Sequence, residues 1–254
     1  MNRTRATWVP AYVYLAFLFL GEVPALAGNP LFSIELESVL LVVVYLFSSY
    51  LSWGASKATK YLVGTWVASY AIESIGLSTG YPFGNYSYTS ALRPFLGPVP
   101  LFIPFLWCAL GYFCLRAGGP SVVVPALLLV FLDLSFDPIF SRSLWHWGPT
   151  IGFAYAGVPV LNFVGWFISA IVIFALFRMV NAESRKSPRR SVLYSKGIIQ
   201  GAGFYLLFGA STVLSDLSAN LPVVAAVSAL LYAISATVLL WSVRREGAAS
   251  LPKA

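Results

Sequence analysis

Apolar runs, most of them about 20 residues long, alternate along this chain with short polar or Gly/Pro-rich breaks. The runs predict helices at about 8–27, 31–53, 61–78, 99–115, 121–140, 159–180, 197–215 and 222–243. None shows the strict alternation of a membrane strand, and only helices or closed barrels satisfy the backbone in lipid, so the pattern selects helices. Arg116-Ala117-Gly118-Gly119-Pro120 forms a tight turn, 181–196 is the most polar segment, and 216–221 is a short turn. No internal repeat and no low-complexity segment stands out. The first run follows Arg3 and Arg5 and ends near Ala25-Leu26-Ala27, as a signal peptide would. Its length, with Pro10, Tyr12 and Tyr14, reads instead as the first membrane helix.

One connection departs from this rhythm. Gly80–Trp107 carries five Pro, three Gly and three Tyr in 28 residues, with one Arg and no acid. It is too aromatic for an idle loop and too rich in Gly and Pro for a helix.

Composition agrees with the pattern. The 254 residues are 59% hydrophobic and 10% charged, against roughly 25% charged in soluble domains. The expected fold is an all-α polytopic membrane protein of about eight transmembrane helices, forming a single integral membrane domain over 1–254. The net charge of +7 does not imply nucleic acid. With eight spans and both termini cytoplasmic, 14 of the 16 Lys and Arg fall on the inner side, where positive charges orient membrane proteins and meet anionic headgroups. The inner set includes Arg3, Arg5, Arg185, Lys186 and Lys253, and only Arg93 and Arg142 fall outside. Cys108 and Cys114, six apart in one apolar run, read as inert buried thiols. A lone histidine, His146, rules out a multi-His metal centre.

The acids have the opposite bias. Glu22, Glu35, Glu37, Glu73, Asp133, Asp137 and Asp216 all belong to the outer half. Asp133 and Asp137 lie four apart, hence on one helical face. Glu73 sits one turn before the end of the third helix at the same depth, and Asn162 enters the sixth there. Carboxyl groups so deep are expensive and face a bundle interior or a wet cavity. Pairing with Arg93 and Arg142 is the structural alternative. For Glu35 and Glu37 a helix dipole suffices, and for Asp216 a turn cap does. Tyr81, Tyr86, Tyr88, Trp145, Trp147 and Tyr155 fit an interfacial aromatic belt, and His146 a surface position. Yet Tyr86 and Tyr88 sit inside a Gly/Pro-fixed loop, while Trp107, Phe163 and Trp166 lie within helices. Acids walled by aromatic rings suit a reaction through a carbocation: ring faces stabilise positive charge, and a buried neutral carboxylic acid supplies the proton.

Two blocks carry a family resemblance. The first is Glu73-x-x-Gly76, then Thr79-Gly80-Tyr81-Pro82-Phe83-Gly84-Asn85-Tyr86-Ser87-Tyr88, then Val99-Pro100-Leu101 and Trp107. The second is Asp133-x-x-x-Asp137-Pro138, Trp147, Tyr155, Gly157-Val158-Pro159, Asn162-Phe163 and Gly165-Trp166. In this the chain resembles the membrane carotenoid-biosynthesis proteins of the CruF type, the carotenoid hydratases. The motifs cover about 65–180; the first two helices and the last two carry none.

The resemblance implies addition of water to the terminal C=C of an acyclic carotenoid end group, giving a tertiary alcohol with no metal or redox cofactor. Asp137 and Asp133 are the expected acid and base in either order, with Glu73 third. Tyr86, Tyr88, Asn162, Arg93, Trp107, Tyr155 and Trp166 are expected to position substrate or water. The implied partners are the carotenoid, water, membrane lipids and other enzymes of carotenoid biosynthesis; the implied location is a bacterial or archaeal cytoplasmic membrane. A non-catalytic carotenoid or lipid binder is an alternative that leaves the acids unexplained. A small-molecule transporter would use the acids but calls for repeated, broken helices in both halves. A retinal pigment would need a lysine midway along the last helix, which has none.

Overall fold

The computed structural model describes residues 8–29, 31–149, 152–181 and 189–249. Arg3, Arg5, Arg185, Lys186 and Lys253 lie outside the described residues. Eight helices appear among those described: α1 (Val9–Ala25), α2 (Ile34–Trp53), α3 (Ala55–Thr79), α4 (Ile103–Ala117), α5 (Val123–Phe140), α6 (Val160–Val180), α7 (Arg189–Ser218) and α8 (Pro222–Ala249). The protein is helical, and α2, α5, α6, α7 and α8 each hold a segment long and apolar enough to cross a membrane. The apolar helices α1 and α4 are shorter.

Boundaries shift where polar residues fit a helix after all. Helix α3 begins at Ala55, with the Lys57 ammonium stacked 4.9 Å from the Trp53 ring centre. The polar segment joins α7 from Arg189 onward. Arg178 closes the tight turn before α5 by donating to the carbonyls of Gly119 and Ser121, both at 2.7 Å, and of Pro120.

Helix α4 is the centre, packed by α2, α3, α5 and α7. Cys108 and Cys114 are buried free thiols in its core. Small residues allow this approach. A Cβ at Gly201 of α7 would stand 2.5 Å from the backbone carbonyl carbon of Arg116 at the end of α4. Backbone cannot step aside as a side chain does. Gly201→Ala is therefore expected to destabilise the fold by about 1–3 kcal/mol. Thermal unfolding in detergent measures this, and an unchanged midpoint would rule the contact out.

The connections α3–α4 and α5–α6 are built alike. The first holds β1 (Tyr86–Tyr88), a single 3₁₀ turn, β2 (Phe95–Leu96) and β3 (Val99–Pro100); the second holds β4 (Trp145–Trp147), β5 (Ala154–Tyr155) and β6 (Val158–Pro159). Their parts stand 59 positions apart: 86 and 145, 95 and 154, 99 and 158. In each, the last two strands make a hairpin over two residues, and a helix follows with a tryptophan at the same spacing, Trp107 or Trp166. In the second hairpin Ala156 and Gly157 both have positive φ, the signature of a tight hairpin turn. Strands β1 and β4 pair antiparallel, Tyr86 opposite Trp147, Ser87 opposite His146 and Tyr88 opposite Trp145. Trp107 and Trp166 stack at 3.9 Å with planes 11° apart. The two helix–hairpin–helix units thus meet about an approximate two-fold relation. This corrects the expectation of no repeat. The fourth helix begins at 103 rather than 99 for the same reason: Val99–Pro100 is the second strand of a hairpin.

Candidate functional site

Glu73 faces inward from α3, one turn before Gly76. A Cβ at Gly76 would meet Phe83 at 2.9 Å and the Tyr86 hydroxyl at 3.0 Å, so the glycine lets the following loop fold back against the helix. That return brings both phenols of β1 to Glu73. Tyr86 and Tyr88 donate to Oε2 at 2.6 and 2.8 Å, and the Trp107 indole donates to Oε1 at 2.9 Å. Residues two apart on a strand share a face, which is why both tyrosines reach one carboxyl while Ser87 between them is exposed.

The second unit repeats the device with different residues. Trp145 and Trp147, two apart on β4, donate their indole N–H to Oδ1 of Asp137 at 2.8 and 3.2 Å. His146 between them is exposed. The Asn162 amide nitrogen then ties the acids together, donating to Asp137 Oδ2 at 2.7 Å and to Asp133 Oδ2 at 2.8 Å. Its two protons serve one acid each. Glu73, Asp133, Asp137 and Asn162 are all buried.

These groups border a cavity of about 620 Å³, mouth included. Its remaining wall is apolar and aromatic, with Trp107, Trp166, Phe136 and Phe140 on it. Burial, then the adjacent Glu73 carboxyl, pushes both the Tyr86 and Tyr88 phenols up from their ordinary range. They remain donors at pH values where a free tyrosine, near pH 10, loses its proton. In the unfolded chain the same phenols ionise first, so stability is expected to fall as pH climbs past about 10. Tyrosinate absorbance in alkaline titration, compared with a Tyr86→Phe/Tyr88→Phe variant, measures this. Two phenols ionising normally in the folded protein would contradict it.

Of the residues expected from sequence, the cavity brings together Glu73, Asp133, Asp137, Asn162, Tyr86, Tyr88, Trp107 and Trp166. Arg93 is exposed and does not line it. Arg142 donates to the Ala219 carbonyl at 2.8 Å. The pairing of the site acids with these arginines is thereby corrected: their partners are neutral indole, phenol and amide groups. Burying a guanidinium beside each acid would cost desolvation twice, whereas neutral donors add no charge. Tyr155 stands behind the wall against Phe163 at 6.0 Å, its phenol pushed up to about 12 by burial and then by Asp216. Trp145 and Trp147 are the site residues that an interfacial-belt reading passes over. Their signal is the spacing: aromatic-x-aromatic, then Val-Pro 13 positions on (145 to 158), as in the first unit (86 to 99).

Residues 28–235 match the family described as carotenoid biosynthesis protein. A bisanhydrobacterioruberin hydratase of Haloarcula japonica is similar, 32% identical over an alignment of 129 positions that covers 46% of this chain and 43% of that protein. The chain therefore matches less than half the length of that relative. No solved structure matches.

Proposed function

Given that the chain belongs to the carotenoid biosynthesis protein family, we propose that it is a hydro-lyase adding water to the terminal C=C of an acyclic carotenoid end group. The observation that carries this reading is the Asp133–Asn162–Asp137 bridge inside an aromatic-walled, otherwise apolar cavity. Glu73 and Asp137 each accept three hydrogen bonds, which ties them into the framework, whereas Asp133 accepts one, from Asn162. Asp133 is then the carboxylic acid that gives its proton to the less substituted alkene carbon. The alkene π pair forms the new C–H bond and leaves a tertiary cation, held by ring faces and by the Asp137 carboxylate. Water adds its oxygen lone pair to the cation and passes one proton to the carboxylate of the pair. The tertiary alcohol leaves, and the pair again holds one proton. No external electron donor or acceptor enters this balance.

In this reading all eight helices cross a bacterial or archaeal cytoplasmic membrane as one integral domain with both termini inside. The polyene runs along the helices among lipids, with other enzymes of carotenoid biosynthesis as neighbours. Expression in cells that make lycopene is the test. A product heavier by one water is expected. Pigment retained unchanged would favour a carotenoid-binding protein. The paired units also give a transporter reading its repeat, here of strand-containing connections and in parallel orientation. Uptake of an external solute without any altered carotenoid would favour that reading.

A further inference from the structure

A second cavity, of about 560 Å³ with its mouth included, lies on the far side of the α4–α5 pair, between α1, α2 and α7. Leu106, Leu110, Phe136 and Phe140 border both cavities, so one layer of apolar side chains separates them. The second differs in its far wall, where Glu22, Glu37, Ser38, Ser211, Thr212 and Ser215 are exposed to the space. Glu22 is only 7% exposed and accepts a hydrogen bond from the Ser215 hydroxyl. Ser211 donates to the Phe208 carbonyl at 2.7 Å, whereas the Thr212 hydroxyl is engaged by both the Gly209 carbonyl at 2.9 Å and the Tyr232 hydroxyl at 3.0 Å. With its proton directed to backbone, the Ser211 hydroxyl keeps lone pairs for an incoming donor. Tyr14, Leu18, Leu41 and Phe208 complete that wall, and an apolar molecule laid against it leaves the carboxyl and hydroxyl oxygens without a donor. Water supplies one, and a buried water needs room and two to four polar partners.

The carboxyl site has the complementary difficulty. An apolar end group that fills it expels water, yet the cation must meet one water and no more. Resting on the hydration reading above, we propose that the Glu22–Glu37 chamber is the binding site for the second substrate, water. It delivers that water to the cation past the Phe136, Phe140, Leu106 and Leu110 side chains. The carboxyl and hydroxyl oxygens hold the water until the cation forms, and the apolar layer keeps it from the acid pair before then.

The cation offers an internal clock for the test. With purified protein and an acyclic carotenoid in heavy water, a cation made by deuteron transfer has two fates. Capture by water gives deuterated alcohol. Loss of a proton to the carboxylate returns an alkene carrying deuterium. Starving the chamber of water shifts the ratio towards returned alkene. Glu22→Leu, Glu37→Leu and the milder Ser215→Ala are each expected to raise the exchange-to-alcohol ratio about fivefold, the worth of a lost hydrogen bond, with carotenoid affinity unchanged. An unchanged ratio in variants that still turn over overturns the proposal. So does a parallel fall of exchange and alcohol, which marks a structural role only. Wild-type protein giving neither product would sink the hydration reading itself, and this outcome is distinct because it appears without any substitution.

Discussion

Asp133→Asn is expected to lower hydration about 10²–10⁴-fold, the range that a positioned general acid supplies. The substitution is nearly isosteric, and an asparagine oxygen at 133 can still accept from Asn162, the donor at 2.8 Å in the native protein. The fold and the apolar wall should therefore survive, with a thermal midpoint and carotenoid binding like those of the wild type. What disappears is an acidic proton, so the loss belongs in kcat and not in KM. Asp137→Asn separates the roles. It keeps an acid at 133 but removes the negative charge facing the cation, so it should leave measurable alkene exchange while depressing alcohol formation. If Asp137→Asn abolishes exchange and Asp133→Asn does not, the two roles are reversed. If Asp133→Asn, Asp137→Asn and Glu73→Gln all convert substrate at the wild-type rate, acid-initiated hydration at this site is wrong.

Glu73→Leu is expected to act through structure and to do so heavily. Its carboxyl accepts from Tyr86, Tyr88 and Trp107, three donors that leucine leaves without a partner at a buried position. Each buried donor so stranded costs about 1–3 kcal/mol, less whatever relaxation or entering water recovers. A net loss of about 3–5 kcal/mol is the expected scale, among the largest for a single substitution. Glu73→Gln keeps one acceptor oxygen but turns an N–H towards a donor, so it should fall between wild type and Leu. Thermal unfolding ranks the three. A Glu73→Leu variant as stable as wild type, with normal turnover, would show that the carboxyl holds nothing in place.

Much of this could be read from sequence because a buried carboxyl in an apolar run needs a reason. Glu73, Asp133 and Asp137 stood out by depth, Asn162 by entering a helix at the same level, and Tyr86 and Tyr88 by lying in a loop too constrained to be idle. What could not be read was who answers whom. Arg93 was the obvious counter-charge because charge is conspicuous in a sequence. Indole and phenol donors look like belt residues until the strand pairing aims them. The repeat was hidden for a related reason. Its shared positions are few, an aromatic pair, Val-Pro and a later Trp, and its strands are two or three residues long. Hydrophobic periodicity cannot register segments so short. Eight helices appear among the described residues, five of them with a segment long and apolar enough to cross a membrane, while the start of α4 shifts because a hairpin of Val and Pro is as greasy as a helix.

The pairing of β1 with β4 has a mechanical consequence. Tyr86 and Tyr88 hold the carboxyl of one unit, and directly across the ribbon Trp147 and Trp145 hold that of the other. Because side chains alternate along a strand, a slip of one residue would present Ser87 or His146 to an acid in place of an aromatic donor. The acids of the two units are therefore gripped by a single two-stranded clasp. Neither grip can loosen alone: whatever shifts one strand along the other changes the hold on Glu73 and on Asp137 together.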